Sequence, residues 1–294
     1  MQTRNPRTLV TEHITRGLPS TPCFGRVIGL KRRASIVLTV SRAIALAICL
    51  VAGAGLKLQG ASIFVPNSSF ESQVAGPPYG VDTRIDSWQK SPKPAWFDET
   101  AYGILWDQTM GVFANTPSGA ANHIDNMTGN QGAYMFALPQ VAIFQDYNSL
   151  DWNHSSPSHD FNATFDAGKS YQLTVGLIGG GGGMTLGSTF ELSLYYRDSA
   201  NNMITIAATP VTYTAELFPS TTHFVDFSVN LGEVQAGDAW AGKNIGIELA
   251  STYGTAGYWD LDNVRLTSAV PEPAALSLSL LGILGLVAKR RLKG

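Results

Sequence analysis

Between residues 62 and 270 apolar residues do not recur every three or four positions over any stretch of helical length. They recur at every second position instead, which is the period of a half-buried strand. Tyr171, Leu173, Val175 and Leu177 share one face. Phe190, Leu192, Leu194 and Tyr196 share another, as do Val225, Phe227 and Val229, and then Ile245, Ile247 and Leu249. The same reading predicts strands over 61–65, 102–106, 133–138, 141–145, 161–166, 203–209, 211–214 and 257–267. Turn-forming residues separate most of them, for example 198–202 and 179–183. Short strands with one apolar face, punctuated this way, predict an all-β fold: one antiparallel, jelly-roll-like β-sandwich. In the last strand the apolar set shifts from Trp259 and Leu261 to Val264 and Leu266. That one-residue slip predicts a β-bulge at Asp262 or Asn263.

The formal net charge of -2 hides three unlike segments. Residues 1–61 carry nine Lys/Arg and one acid, residues 62–270 seven Lys/Arg and twenty acids, and residues 271–294 four Lys/Arg and one acid. An acidic body repels phosphate backbones, so nucleic acid is not an expected partner. Lys31, Arg32 and Arg33, the apolar run 36–55 and the small residues up to Ala61 follow the order of a secretory signal. A translation start near Val27 or Leu30 is an alternative to Met1. The expected organisation is a leader over 1–61, a β-sandwich domain over 62–268 and a C-terminal segment over 270–294. Both cysteines, Cys23 and Cys49, fall in the leader. The body is therefore expected to have no disulfide and no thiolate chemistry.

The C-terminal segment reads Val270-Pro271-Glu272-Pro273, an apolar run 274–288, then Lys289-Arg290-Arg291. It resembles the PEP-CTERM sorting signal through Pro271, Glu272, Pro273, the apolar helix, and Arg290 and Arg291. The resemblance implies an exosortase and the secretion machinery as partners, a transient transmembrane helix, and delivery to the cell surface or extracellular matrix. The body is framed by Pro66-Asn67-Ser68-Ser69-Phe70-Glu71 and by Tyr258-Trp259-Asp260-Leu261-Asp262-Asn263-Val264. These ends resemble galactose-binding-like jelly rolls, the fold of many carbohydrate-binding modules. That resemblance implies a structural calcium on Glu71 and Asp262, with Asp260 as a further ligand. Calcium takes several oxygen donors, carboxylates among them.

Candidate ligand contacts are Trp96 and Trp152, aromatic side chains in loops where a flat ring can stack on a sugar. Trp88 and Trp106 read as core residues. His154 and His159, with Asp151 and Asp160 nearby, form a polar loop that could hold a transition metal or supply a base. The glycine run 179–183 lacks the Gly-Lys-Ser/Thr of a phosphate loop and reads as a hairpin tip or a lid over the sandwich mouth. No Gly-x-Ser-x-Gly elbow or His-Glu-x-x-His motif occurs. The resulting expectation is an exported, surface-sorted, non-catalytic protein of the envelope or exopolysaccharide matrix that binds polysaccharide. The alternatives are a structural or adhesive matrix protein, and a secreted polysaccharide hydrolase.

Overall fold

Two antiparallel sheets face each other, as the alternation requires. The computed structural model describes residues 60–270, apart from residue 73 and the stretches 77–79 and 150–160. Trp152, His154, His159, the leader and the segment from Pro271 to Gly294 lie outside the described residues.

The strands in chain order are β1 (Ala61–Ile63), β2 (Val81–Asp82), β3 (Gln89–Lys90), β4 (Met110–Ala114), β5 (Gln131–Phe136), β6 (Ala142–Gln145), β7 (Ser170–Gly181), β8 (Thr189–Arg197), β9 (Met203–Thr212), β10 (Val225–Leu231), β11 (Gly246–Tyr253) and β12 (Tyr258–Ala269). The seven-stranded sheet runs β10-β7-β12-β5-β4-β2, with β1 also paired to β12. The five-stranded sheet runs β3-β6-β11-β8-β9. Leu173, Val175, Leu177, Trp259 and Leu261 of the first pack against Phe190, Leu192, Leu194, Ile247 and Leu249 of the second. Each large side chain removed from water in this way contributes about 1.5–3 kcal/mol.

The strand expectations hold for the long alternating runs and fail elsewhere. Residues 102–106 are not a strand. Asp98 accepts hydrogen bonds from Thr100 N and Ala101 N and caps a short helix, α1 (Glu99–Tyr102). Gly103 ends that helix at φ 68°, and a 3-10 turn follows at Trp106–Thr109. Residues 161–166 contribute a single bridge, Thr164 to Asn244, although Phe161 and Phe165 are buried. The predicted pieces 203–209 and 211–214 are one strand, β9, running to Thr212. The strands β2, β3 and β4 went unpredicted.

The bulge in β12 is present. Its register against β7 shifts between Asp262 and Arg265, and Asn263 takes a left-handed φ of 56°. A second irregularity lies between Tyr258 and Asp260: Tyr258 pairs with Gly181, but Asp260 pairs with Ile178. The extra residue falls in the glycine run at the end of β7. Bulges of this kind re-aim side chains next to a site.

Candidate active site in a cleft on the seven-stranded sheet

In β4 and β5 most residues of both faces are withdrawn from water. A strand apolar on both sides needs a cover on each. One side is the core. On the other, the connection between β4 and β5 folds back as a roof. Asn115 holds it: its Oδ1 accepts from Thr116 N and Ile124 N, and its Nδ2 donates to Ile124 O. Asn126 ties the roof to the segment before β10, accepting from Phe224 N and donating to Phe224 O. Ile124, Ile178 and Phe224 then form a second apolar cluster, with Phe113 and Met127 against it.

Between roof and sheet lies a cleft of about 730 Å3. Phe113, Tyr134, Phe136, Ile104, Ile124 and Tyr258 give it apolar and aromatic walls. Asn115, Asn122, Gln108 and Thr221 add neutral polar groups. Tyr134 and Asp260 are register partners on β5 and β12 and stand side by side on the floor. The Tyr134 ring lies across Gly111 of β4, where a Cβ would stand 2.8 Å from the ring and closer still to the Asp82 backbone oxygen, so both neighbours require glycine there. Its hydroxyl donates to Gln108 O at 3.3 Å, and burial pushes the phenol up to about 12.

Asp260 is the one charged residue type among the described residues that line the cleft, and it is only 8% exposed. Burial alone pushes its carboxyl up to about 8, so it is protonated at neutral pH. The buried Asp146 makes the contrast plain. Asp146 accepts from Tyr195 Oη at 2.6 Å and from Arg197 Nε at 2.7 Å, which satisfies a buried carboxylate within the fold. Asp260 instead lines the cleft, and burial favours its protonated form.

Glu71 and Asp262 form a separate corner. Glu71 Oε1 accepts from Asn130 N at 2.8 Å and Gln131 N at 2.7 Å. Asp262 Oδ2 accepts from Thr128 N and Oδ1 from Asn263 N. Both acids thus hold the far end of the β4–β5 connection. Burial pushes the Asp262 carboxyl up to about 7, and the charge of Glu71 adds to the rise. The charge of Arg265 acts in the opposite direction, and carboxylate oxygens are the donor type that a hard divalent ion takes. Asp260, grouped with them in the sequence reading, faces the cleft instead, and neither Glu71 nor Asp262 contributes to its shift. Among the described residues no group of three His, Cys, Asp or Glu side chains is placed to hold a metal.

Trp96 is 43% exposed and lies outside the cleft. It stands edge-on to Phe97, Tyr102 and Trp106, and its Nε1 donates to Gln140 Oε1 at 2.9 Å. Trp88 and Trp106 are core residues, as expected. The glycine run is not a free hairpin tip: Gly180, Gly181 and Gly182 line the cleft. Sequence reasoning missed Phe113, Tyr134, Phe136 and Tyr258. The signal for them was the apolar character of 133–136 on both faces, which shows that a second surface is covered.

A sandwich with an acid-floored aromatic cleft defines a small-molecule site. The family model for HpiC1 cyclase, described as HpiC1-like, matches residues 61–267. The chain therefore belongs to the HpiC1-like cyclase family. Among solved structures it is similar to a Stig cyclase, Fisc, from Fischerella sp. TAU in complex with (3Z)-3-(1-methyl-2-pyrrolidinylidene)-3H-indole. Identity is 21% and the TM-score 0.51, over 73% of this chain and 100% of that one. It is similar also to a cyclase from Fischerella sp. TAU at 20% identity and a TM-score of 0.52, over 73% of this chain and 100% of that one. A third structure, a cyclase from the same organism in complex with 4-(1H-indol-3-yl)butan-2-one, has 21% identity and a TM-score of 0.50, over 72% and 100%. These likenesses show a shared fold. No curated protein matches the chain.

The family match corrects the functional expectation. The non-catalytic, surface-sorted glycan binder is replaced by a member of an enzyme family. The PEP-CTERM identification, the exosortase and polysaccharide partners and the membrane-anchored surface location are overturned with it. Pro271, Glu272, Pro273, Arg290 and Arg291 lie outside the described residues. Among the described residues no helix is long and apolar enough to cross a membrane. The carbohydrate-module likeness caught the sandwich shared by many functions and misassigned the site, because a fold does not name its ligand.

Proposed function

We propose that this chain is a cyclase that closes a ring in an uncharged, flat aromatic substrate by acid initiation. The observation that carries the reading is the placement of Asp260, buried on the floor of an aromatic cleft where no other charged side chain among the described residues lines it. The catalytic unit is the 62–268 body, whose two sheets we read as a jelly roll. The indole ligands held by the cyclases of similar fold suit a cleft walled by Phe113, Tyr134, Phe136 and Tyr258.

The step balances without a redox partner. The Asp260 carboxyl gives its proton to a carbon of a substrate C=C bond, whose electron pair forms the new C–H bond. The neighbouring carbon becomes cationic. A second C=C bond of the same molecule attacks it, forming the ring C–C bond and moving the charge. Loss of a proton from the final cation restores a double bond, and the Asp260 carboxylate takes that proton back. Substrate and product are isomers. The aromatic walls stabilise the cation, and the apolar cleft keeps out water that would trap it.

Calcium is the cofactor we assign to Glu71 and Asp262. It would supply positive charge to two crowded carboxylates and so fasten the roof connection to β12. Asp260 would remain outside its coordination.

The test uses an indole carrying an alkenyl chain, with turnover followed as mass-neutral isomerisation by NMR. Wild-type protein is expected to convert it and Asp260→Asn to lose conversion while still binding 4-(1H-indol-3-yl)butan-2-one. Conversion by the Asn variant at the wild-type rate would remove Asp260 from the chemistry.

A further inference from the structure

Gly180, Gly181 and Gly182 form a wall of bare backbone beside Asp260. The ring of Tyr258, the register partner of Gly181, lies over this wall. A Cβ on Gly181 would stand 2.7 Å from Cδ2 and 2.8 Å from Cζ of that ring. A Cβ on Gly182 would meet the ring at 2.8 Å from Cε1, and Gly182 also sits at a φ of 57°. Gly181 has no left-handed φ, so its backbone accepts a side chain and the Tyr258 ring is the obstacle. Tyr258 is 36% exposed and lines the cleft.

We infer that Gly181 and Tyr258 together are the size filter of the substrate cleft. With no side chain on Gly181, the Tyr258 ring lies back against β7 and leaves the space in front of Asp260 open. That space admits an aromatic ring system that carries a substituent. A side chain at 181 lifts the Tyr258 ring off the strand and into this space, leaving room only for the unsubstituted ring. The inference rests on the cyclase reading and specifies which substrates that cleft accepts.

The experiment measures binding of indole and of 4-(1H-indol-3-yl)butan-2-one to the full chain by calorimetry. Gly181→Ala is expected to weaken the ketone about tenfold or more, the scale on which a pocket resolves small steric differences. Indole should change by less than about threefold. Adding Tyr258→Ala to Gly181→Ala should bring the ketone to the affinity of Tyr258→Ala alone, because the displaced ring is gone. Tyr258→Trp, which leaves every backbone contact in place, should weaken the ketone alone and covers the case in which Gly181→Ala does not fold. Unchanged ketone affinity in both Gly181→Ala and Tyr258→Trp would overturn the filter and leave the cyclase reading standing. An equal loss of both probes would likewise overturn it. A wild-type chain that binds neither probe would overturn the filter and the cyclase reading together.

Discussion

Asp260 and Asp262 stand two residues apart on β12, both buried, and the fold treats them in opposite ways. Asp262 receives backbone N–H groups from Thr128 and Asn263 and sits against Glu71. Asp260 faces a cleft, and burial is the cause of its shift. Identical side chains on one strand thus become a strut and an acid. The difference lies in their neighbours: at Asp262 the β4–β5 connection brings N–H donors, and at Asp260 it brings apolar walls.

The largest expected break in this comparison is Asp260→Asn. It keeps the shape and removes the proton, so turnover is expected to fall by about 10²–10⁴ with circular dichroism and Tm retained. Asp262→Ala acts on stability instead. It leaves two backbone N–H groups without their acceptor, at about 1–3 kcal/mol each, and lowers Tm on the order of 5–10 °C. Calcium is expected to raise the Tm of wild type and to leave that of Asp262→Ala unchanged, as scanning calorimetry would show. Loss of turnover in Asp262→Ala as deep as in Asp260→Asn would erase the distinction.

Titration sharpens it further. The proton donor is neutral Asp260, so kcat/KM is expected to be flat below pH 8 and to fall about tenfold per pH unit above the carboxyl's value of about 8. For stability the sign is the same. The folded-state value lies above the ordinary 3.8, so this contribution is fully present below about pH 4 and is lost as pH rises through about 8. In chelator, Tm should decline across that window, and Asp260→Asn should make the decline shallower, the remainder coming from the raised Asp262 carboxyl. A Tm that rises from pH 4 to 8 would contradict a buried neutral Asp260.

Smaller effects separate the cleft from the surface. Tyr134→Phe keeps the ring over Gly111 and removes one long hydrogen bond to Gln108 O, so turnover should change less than about tenfold. Trp96→Ala lies outside the cleft. It should leave turnover within error and cost about 1 kcal/mol through its lost edge contacts with Phe97 and Trp106. A large loss of turnover in Trp96→Ala would extend the site beyond the cleft.

Much of the frame was legible before any coordinates. Period-2 alternation is a local property, so 171–177, 190–196, 225–229 and 245–249 announced their strands, and the slip from Leu261 to Val264 announced the bulge. The helical turn at Glu99–Tyr102 was hidden because a one-turn helix carries no periodicity. What shows there is the Asp98 cap and the left-handed Gly103. The resemblance set Glu71, Asp260 and Asp262 together; the charge of Glu71 reaches Asp262, while Asp260 lines the cleft. The function could not be read the same way, and the likeness to sugar-binding jelly rolls pointed to the wrong chemistry.

By itself the sequence determined a cysteine-free, acidic, all-β body and which face of each long strand enters the core. It did so because one apolar face per strand leaves a single way to bury the set. Only the tertiary structure decided that burial favours the protonated form of Asp260. Its character depends on Tyr134 from β5, Ile178 from β7 and a roof held by Asn115 and Asn126, all far from it in the chain. Desolvation is a property of assembled neighbours, and no local pattern encodes it.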